Sequence, residues 1–145
     1  MQRPDVSPRD YLVAESAAMQ AVVASIERVA DSDGPVLVCG EHGTGRELVA
    51  RVLHQVSPRR SGRFVSVRPT FESPGGDAGD DGERARRVLR AAQGGTLLVK
   101  DVCDVAVAGQ RALRRAIRSP ERERRPDSSG EVFDVRVVAP AARRS

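Results

Sequence analysis

The sequence predicts an α/β domain built on a parallel sheet sandwiched by helices. Two observations carry this expectation. Short, largely apolar runs at 36–39, 64–67 and 96–99 alternate with stretches whose apolar residues return every three or four positions. Strands and helices taken in turn build a parallel sheet covered on both faces. A third observation concerns function: Gly40-Glu41-His42-Gly43-Thr44-Gly45-Arg46-Glu47 joins the first run to the helix behind it. A glycine-punctuated turn between strand and helix can wrap backbone N–H groups around a phosphate.

Taken in order, residues 1–10 are polar, hold Pro4 and Pro8, and read as a loose leader before a single domain at 11–145. From Ala17 to Ala30, Met19, Val22, Val23, Ile26 and Val29 recur at helical spacing, with Ser16 as N-cap. Gly34-Pro35 breaks that helix. The run Val36-Leu37-Val38-Cys39 is wholly apolar, as in a strand buried on both faces. A helix is expected over about 45–55, a turn at 57–62 and a second strand at 64–67. Residues 69–83 hold two Pro, four Gly and five acids and read as an acidic loop. A helix at about 83–92, a strand at 96–99, a helix at 110–118, a charged linker at 119–130 and a final strand at 132–139 complete the order.

A chain of 145 residues can bury a core without disulfides or metals. With three Phe, one Tyr and no Trp, that core must be aliphatic. No apolar run approaches the roughly 18 residues of a membrane span, and the polar start does not read as a secretory signal. Cys39 and Cys103 sit in or beside apolar runs and are expected to be reduced core residues. The net charge is +4, and Lys100 is the sole lysine among 24 basic residues. His42 and His54 are too few to form a metal site; His54 is expected on a helix surface.

Four segments together resemble the AAA+ central domain of the sigma-54-dependent transcriptional activators. Residues 15–22, Glu-Ser-Ala-Ala-Met-Gln-Ala-Val, resemble that family's opening "ESPAMQAV". Residues 36–50 are similar to "VLITGESGTGKELVA", with His54 and Ser57 at the places of the "H…S.R" behind it. Residues 92–102 resemble "ADGGTLFLDEI", and residues 134–139 the late "DVRVIAAT" strand. The resemblance covers roughly 12–67 and 90–140. It implies a P-loop NTPase (AAA+) core lacking the helical lid, in a bacterial cytoplasmic protein of transcriptional regulation.

The departures from the pattern bear on chemistry. Arg46 stands where the family has the phosphate-loop lysine, and a planar guanidinium is no substitute for a compact ammonium. Lys100 replaces the aspartate that the resemblance assigns to Mg²⁺, and Asp101 the glutamate that activates water. A carboxylate shortened by one methylene moves the base by about 1.5 Å, and such a displacement can cost about 10²-fold in rate. Ala139-Pro140-Ala141-Ala142 stand where the family senses the γ-phosphate. The sigma-contacting "GAFTGA" loop has no counterpart, residues 69–83 taking its place, so direct sigma-54 contact is not expected.

The expected site is therefore Gly40, Glu41, His42, Gly43, Thr44, Gly45, Arg46 and Glu47 around the phosphates of ATP or ADP, held weakly, with Mg²⁺ not expected. Asp101 is the only candidate for a residual base. Three readings compete. The favoured one is a pseudo-ATPase acting through a protein partner, either an intact AAA+ homologue or another signalling protein. The second is a residual ATPase. The third is a basic, sequence-independent nucleic-acid binder using Arg111, Arg114, Arg115 and Arg118, whose plain alternative is a solvated face paired with Glu121 and Glu123.

Overall fold

The computed structural model describes residues 7–40, 45–69, 81–117 and 133–142. Strands β1 (Val36–Gly40), β2 (Phe64–Val67), β3 (Thr96–Val99) and β4 (Arg136–Ala142) form one sheet in the order β1-β4-β3-β2. Every pairing is parallel, as expected from the alternation of elements. Helices α1 (Ala17–Val29), α2 (Arg46–Val56), α3 (Asp81–Ala91) and α4 (Val107–Ile117) cover it.

Alternation along the strands sorts the core into two layers. Leu98 and Val138 meet Val23 and Ile26 of α1 and Ala50 and Leu53 of α2. Their chain neighbours Leu97, Val99 and Val137 meet Ala85 and Leu89 of α3 and Ala112 and Leu113 of α4. Leu97 and Leu98 are both fully buried, on opposite faces of β3. Each contributes about 1.5–3 kcal/mol of burial. A shift of one residue in register would exchange the two layers, so the pattern pins the pairing.

α1 starts where expected: the Ser16 hydroxyl accepts the Met19 N–H at 3.1 Å. Its far end is held by the fully buried Arg136, which donates to the carbonyls of Val29 (2.6 Å), Ala30 (3.1 Å) and Gly34 (3.3 Å). Val29 and Ala30 lie at the helix C-terminus, where carbonyls lack intrahelical partners, and Gly34 lies in the turn behind it; a cation there also suits the helix dipole. Part of the expected leader is structured. Ser7 caps a 3₁₀ turn, Pro8–Asp10, with a reciprocal bond from its own N–H to Asp10, and Pro8 and Leu12 are buried.

Three expectations need correction. β1 is not buried on both faces: among the described residues its only strand neighbour is β4, and Leu37 is 59% exposed. For the same reason Cys39 is exposed; Cys103, on the turn after β3, is exposed too, so neither free cysteine is a core residue. The last strand runs over Arg136–Ala142 and continues through Pro140. Pairing of β4 with β3 ends at Leu98↔Val138, so from Ala139 onward β4 has a strand neighbour on the β1 side alone. Proline is tolerated where one side of a strand needs no donor. Helices α3 and α4 also begin two and three residues before their expected starts. The acidic loop at 70–80 and the linker at 119–130 lie outside the described residues.

Candidate functional site

The carboxyl ends of the parallel strands, where α/β sheets hold their ligands, carry the residues singled out in the sequence. Gly40 ends β1, and α2 begins at Arg46. Glu41, His42, Gly43 and Thr44 lie outside the described residues. Gly45 is the N-cap of α2 at φ 81°, ψ 29°, a left-handed conformation that glycine adopts without strain, and no side chain caps the helix behind it. A helix start leaves its first amides without intrahelical partners, and Gly45 has no side chain to take them.

Glu47, in the first turn of α2, lies between two cations. Its carboxylate is 3.2 Å from the Arg51 guanidinium one turn along and 3.5 Å from the Lys100 ammonium at the end of β3. The Lys100 N–H donates to Val67 O at 2.9 Å, extending the β2–β3 ladder by one residue and fixing where the side chain departs. The next residue, Asp101, is exposed and left-handed at φ 49°, ψ 52°, a region that Asp tolerates better than most residues. Its carbonyl accepts the Asp104 N–H at 2.8 Å, turning the chain into the 3₁₀ segment Val102–Asp104.

A divalent cation of the magnesium kind needs oxygen ligands with carboxylate charge. The position expected to supply that charge holds an ammonium already directed at Glu47. Among the described residues, no three His, Cys, Asp or Glu side chains gather into a group that could hold a metal. The described residues at this end of the strands do not offer the carboxylate set that Mg²⁺ needs.

His54 departs from expectation. It is 3% exposed rather than on a helix surface, with Nδ1 2.8 Å from Thr96 Oγ1 and Nε2 3.1 Å from Gly62 O. A neutral ring satisfies both contacts, donating from Nε2 and accepting the Thr96 hydroxyl at Nδ1. Burial holds its pKa below the ordinary value, with the nearby Arg59 charge acting in the same direction against the Gly62 bond. Beside it, Arg59 joins distant parts of the chain, bonding Asp33 at 3.1 Å and Asp134 at 2.7 Å. These groups sit at the opposite end of the strands from Lys100 and serve the fold.

Arg111 and Arg114 are exposed on α4, on the sheet face opposite α2. The Arg115 side chain and all of Arg118 lie outside the described residues. Between α1, α2 and the free edge of β1 runs an open apolar groove of about 380 Å³, lined among others by Val22, Ile26, Val36 and Leu53. Among the described residues, no helix is long and apolar enough to cross a membrane.

A parallel sheet flanked by helices, with β1 leading through a short loop into α2 at the carboxyl end of the strands, has the fold of a P-loop NTPase domain. Residues 12–74 match the family model of the Sigma-54 interaction domain. It is 36% identical over 141 residues to the Nif-specific regulatory protein of Herbaspirillum seropedicae, covering 89% of this chain and 26% of that protein. It is 35% identical over 141 residues to the DNA-binding transcriptional activator HyfR of Escherichia coli, covering 88% and 21%. The chain therefore spans about a quarter of the length of the curated relatives it matches. Among solved structures, NtrX from Brucella abortus in complex with ADP superposes with a TM-score of 0.70 at 30% identity, over 92% of this chain and 31% of that one. The P-loop NTPase domain of a sigma-54 activator from E. coli shares the fold, with a TM-score of 0.62 at 20% identity over 88% and 77%.

Proposed function

We propose that this chain is a sigma-54 activator-type domain of transcriptional regulation whose nucleotide site no longer turns over ATP. It acts by contact with another protein, an intact homologue or a signalling partner. The observation that carries this reading is the approach of Lys100 to Glu47. Phosphoryl transfer depends on positioning and on metal-assisted neutralisation of charge. Here an ammonium stands where a metal-binding carboxylate is needed, and Asp101 is one methylene shorter than the glutamate the family pattern expects.

Loss of turnover leaves room for nucleotide binding. Backbone amides at a helix start hold phosphate without a lysine, and Arg46 supplies a cation there. NtrX of Brucella abortus has been solved with ADP and with ATP, which supports carrying weak nucleotide binding over to this chain at Gly40 to Glu47. The experiment is a thermal melt with ATP, in magnesium and in EDTA. Binding at 100 times Kd stabilises by about 2.7 kcal/mol. A shift equal in both buffers supports a nucleotide site independent of metal, and one that needs magnesium contradicts it. No shift in either would remove nucleotide from the reading and leave the protein contact.

A further inference from the structure

We propose that the outer face of α4 is a docking surface for the phosphate backbone of a nucleic acid, with Arg111 and Arg114 as its anchors and no dependence on base sequence. Three observations converge on that helix. It contains no acidic residue: Val107–Ile117 reads Val-Ala-Gly-Gln-Arg-Ala-Leu-Arg-Arg-Ala-Ile. Arg111 and Arg114 are exposed, while Ala112 and Leu113 are buried against the sheet, so the two guanidiniums share the solvent side one turn apart. Neither has a carboxylate partner among the described residues.

The neighbouring helix gives the contrast. On α3, Arg86 and Arg90 converge on Glu83, at 2.9 and 3.6 Å. Arg51 pairs with Glu47, and the part-buried Arg59 with Asp33 and Asp134, in the same way. Arg111 and Arg114 on α4 have no such pairing among the described residues. A duplex presents a negative charge every 1.7 Å or so along its axis, so two guanidiniums a helical turn apart meet phosphates in any register. Guanidinium also suits phosphate through paired hydrogen bonds. The four aromatic residues of the chain, Tyr11, Phe64, Phe71 and Phe133, all lie off this helix, so nothing on it stacks with bases. The surface lies across the sheet from α2 and does not depend on the phosphate loop.

The test is fluorescence anisotropy of a short labelled duplex of arbitrary sequence, titrated with the full chain between about 50 and 200 mM salt. Binding is expected to weaken steeply with salt. Arg111→Gln/Arg114→Gln should lower the log–log salt slope by about 2 and weaken binding on every sequence equally. The charge-matched control Arg28→Gln/Arg60→Gln, on other surfaces, should change little. Melting curves establish that both variants fold. Absence of binding at the lowest salt would overturn the proposal, as would equal losses in the control. So would polyglutamate of equal charge displacing the duplex as well as unlabelled DNA does, since the surface would then fit an acidic protein.

Discussion

The Lys100 ammonium at the end of β3 lies 3.5 Å from the Glu47 carboxylate in the first turn of α2. The two residues are 53 positions apart in the sequence, and the parallel sheet brings them together at the end where β1 leads into α2. With Arg51 on its other side, Glu47 is already compensated. An approaching divalent cation would meet a positive charge there instead of a ligand.

The pair is 43% and 41% exposed, so it adds at most about 1 kcal/mol to stability. Lys100→Met should therefore melt within about 3 °C of the parent. Lys100→Asp should give the ATP-induced melting shift a magnesium dependence that the parent lacks. Differential scanning fluorimetry with and without EDTA reads both effects. A large loss of stability in Lys100→Met would mean that the pair holds the fold together.

Arg136 is a structural cation. Arg136→Met removes a donor from the carbonyls of Val29, Ala30 and Gly34, of which Val29 alone keeps another, the Ser32 N–H at 3.1 Å. Unsatisfied buried groups cost about 1–3 kcal/mol each, so a loss of about 3 kcal/mol, near 10 °C in Tm, is expected. Arg136→Lys should recover only part of it, because one ammonium cannot reproduce the guanidinium fork.

Gly95 is a point of close backbone approach. A Cβ there would sit 2.0 Å from the Arg63 carbonyl, whose oxygen accepts the Thr96 N–H at 2.8 Å. Relieving that clash must displace the start of β3, so Gly95→Ala should cost about 3 kcal/mol or more. Gly94→Ala meets no atom within 4 Å and is strained only by its φ of +80°, a cost of about 1–2 kcal/mol. Urea denaturation of the two variants should rank them in that order.

His54 makes stability depend on pH. Its folded-state pKa lies below the ordinary 6.5, so on acidification the unfolded chain takes up the proton first. Stability is complete above pH 6.5 and falls as pH drops from there toward the folded pKa, levelling below it. The urea midpoint should decline in that window in the parent and stay flat in His54→Gln. An unchanged decline in the variant would assign the effect to other groups.

Much of this was readable from sequence. The strands at 64–67 and 96–99 and the Ser16 cap are where periodicity and capping chemistry place them, because each depends on local residue order. The burial of His54 was also legible: Ala50, Leu53, His54 and Ser57 fall at steps of three, four and seven on one helical face, and all are buried. The histidine's polarity concealed that signal. The exposed face of β1 was not legible, since an apolar run looks the same whether or not helices will cover its second face. Nor was the passage of β4 through Pro140, which rests on the stagger between its pairings with β3 and β1. The meeting of Lys100 with Glu47 required the strand order itself.

The most direct test of the central claim is steady-state phosphate release from ATP by the purified chain, with magnesium and with EDTA. Release indistinguishable from the protein-free background in both buffers is the predicted result. Magnesium-requiring release that disappears in Asp101→Ala would contradict it.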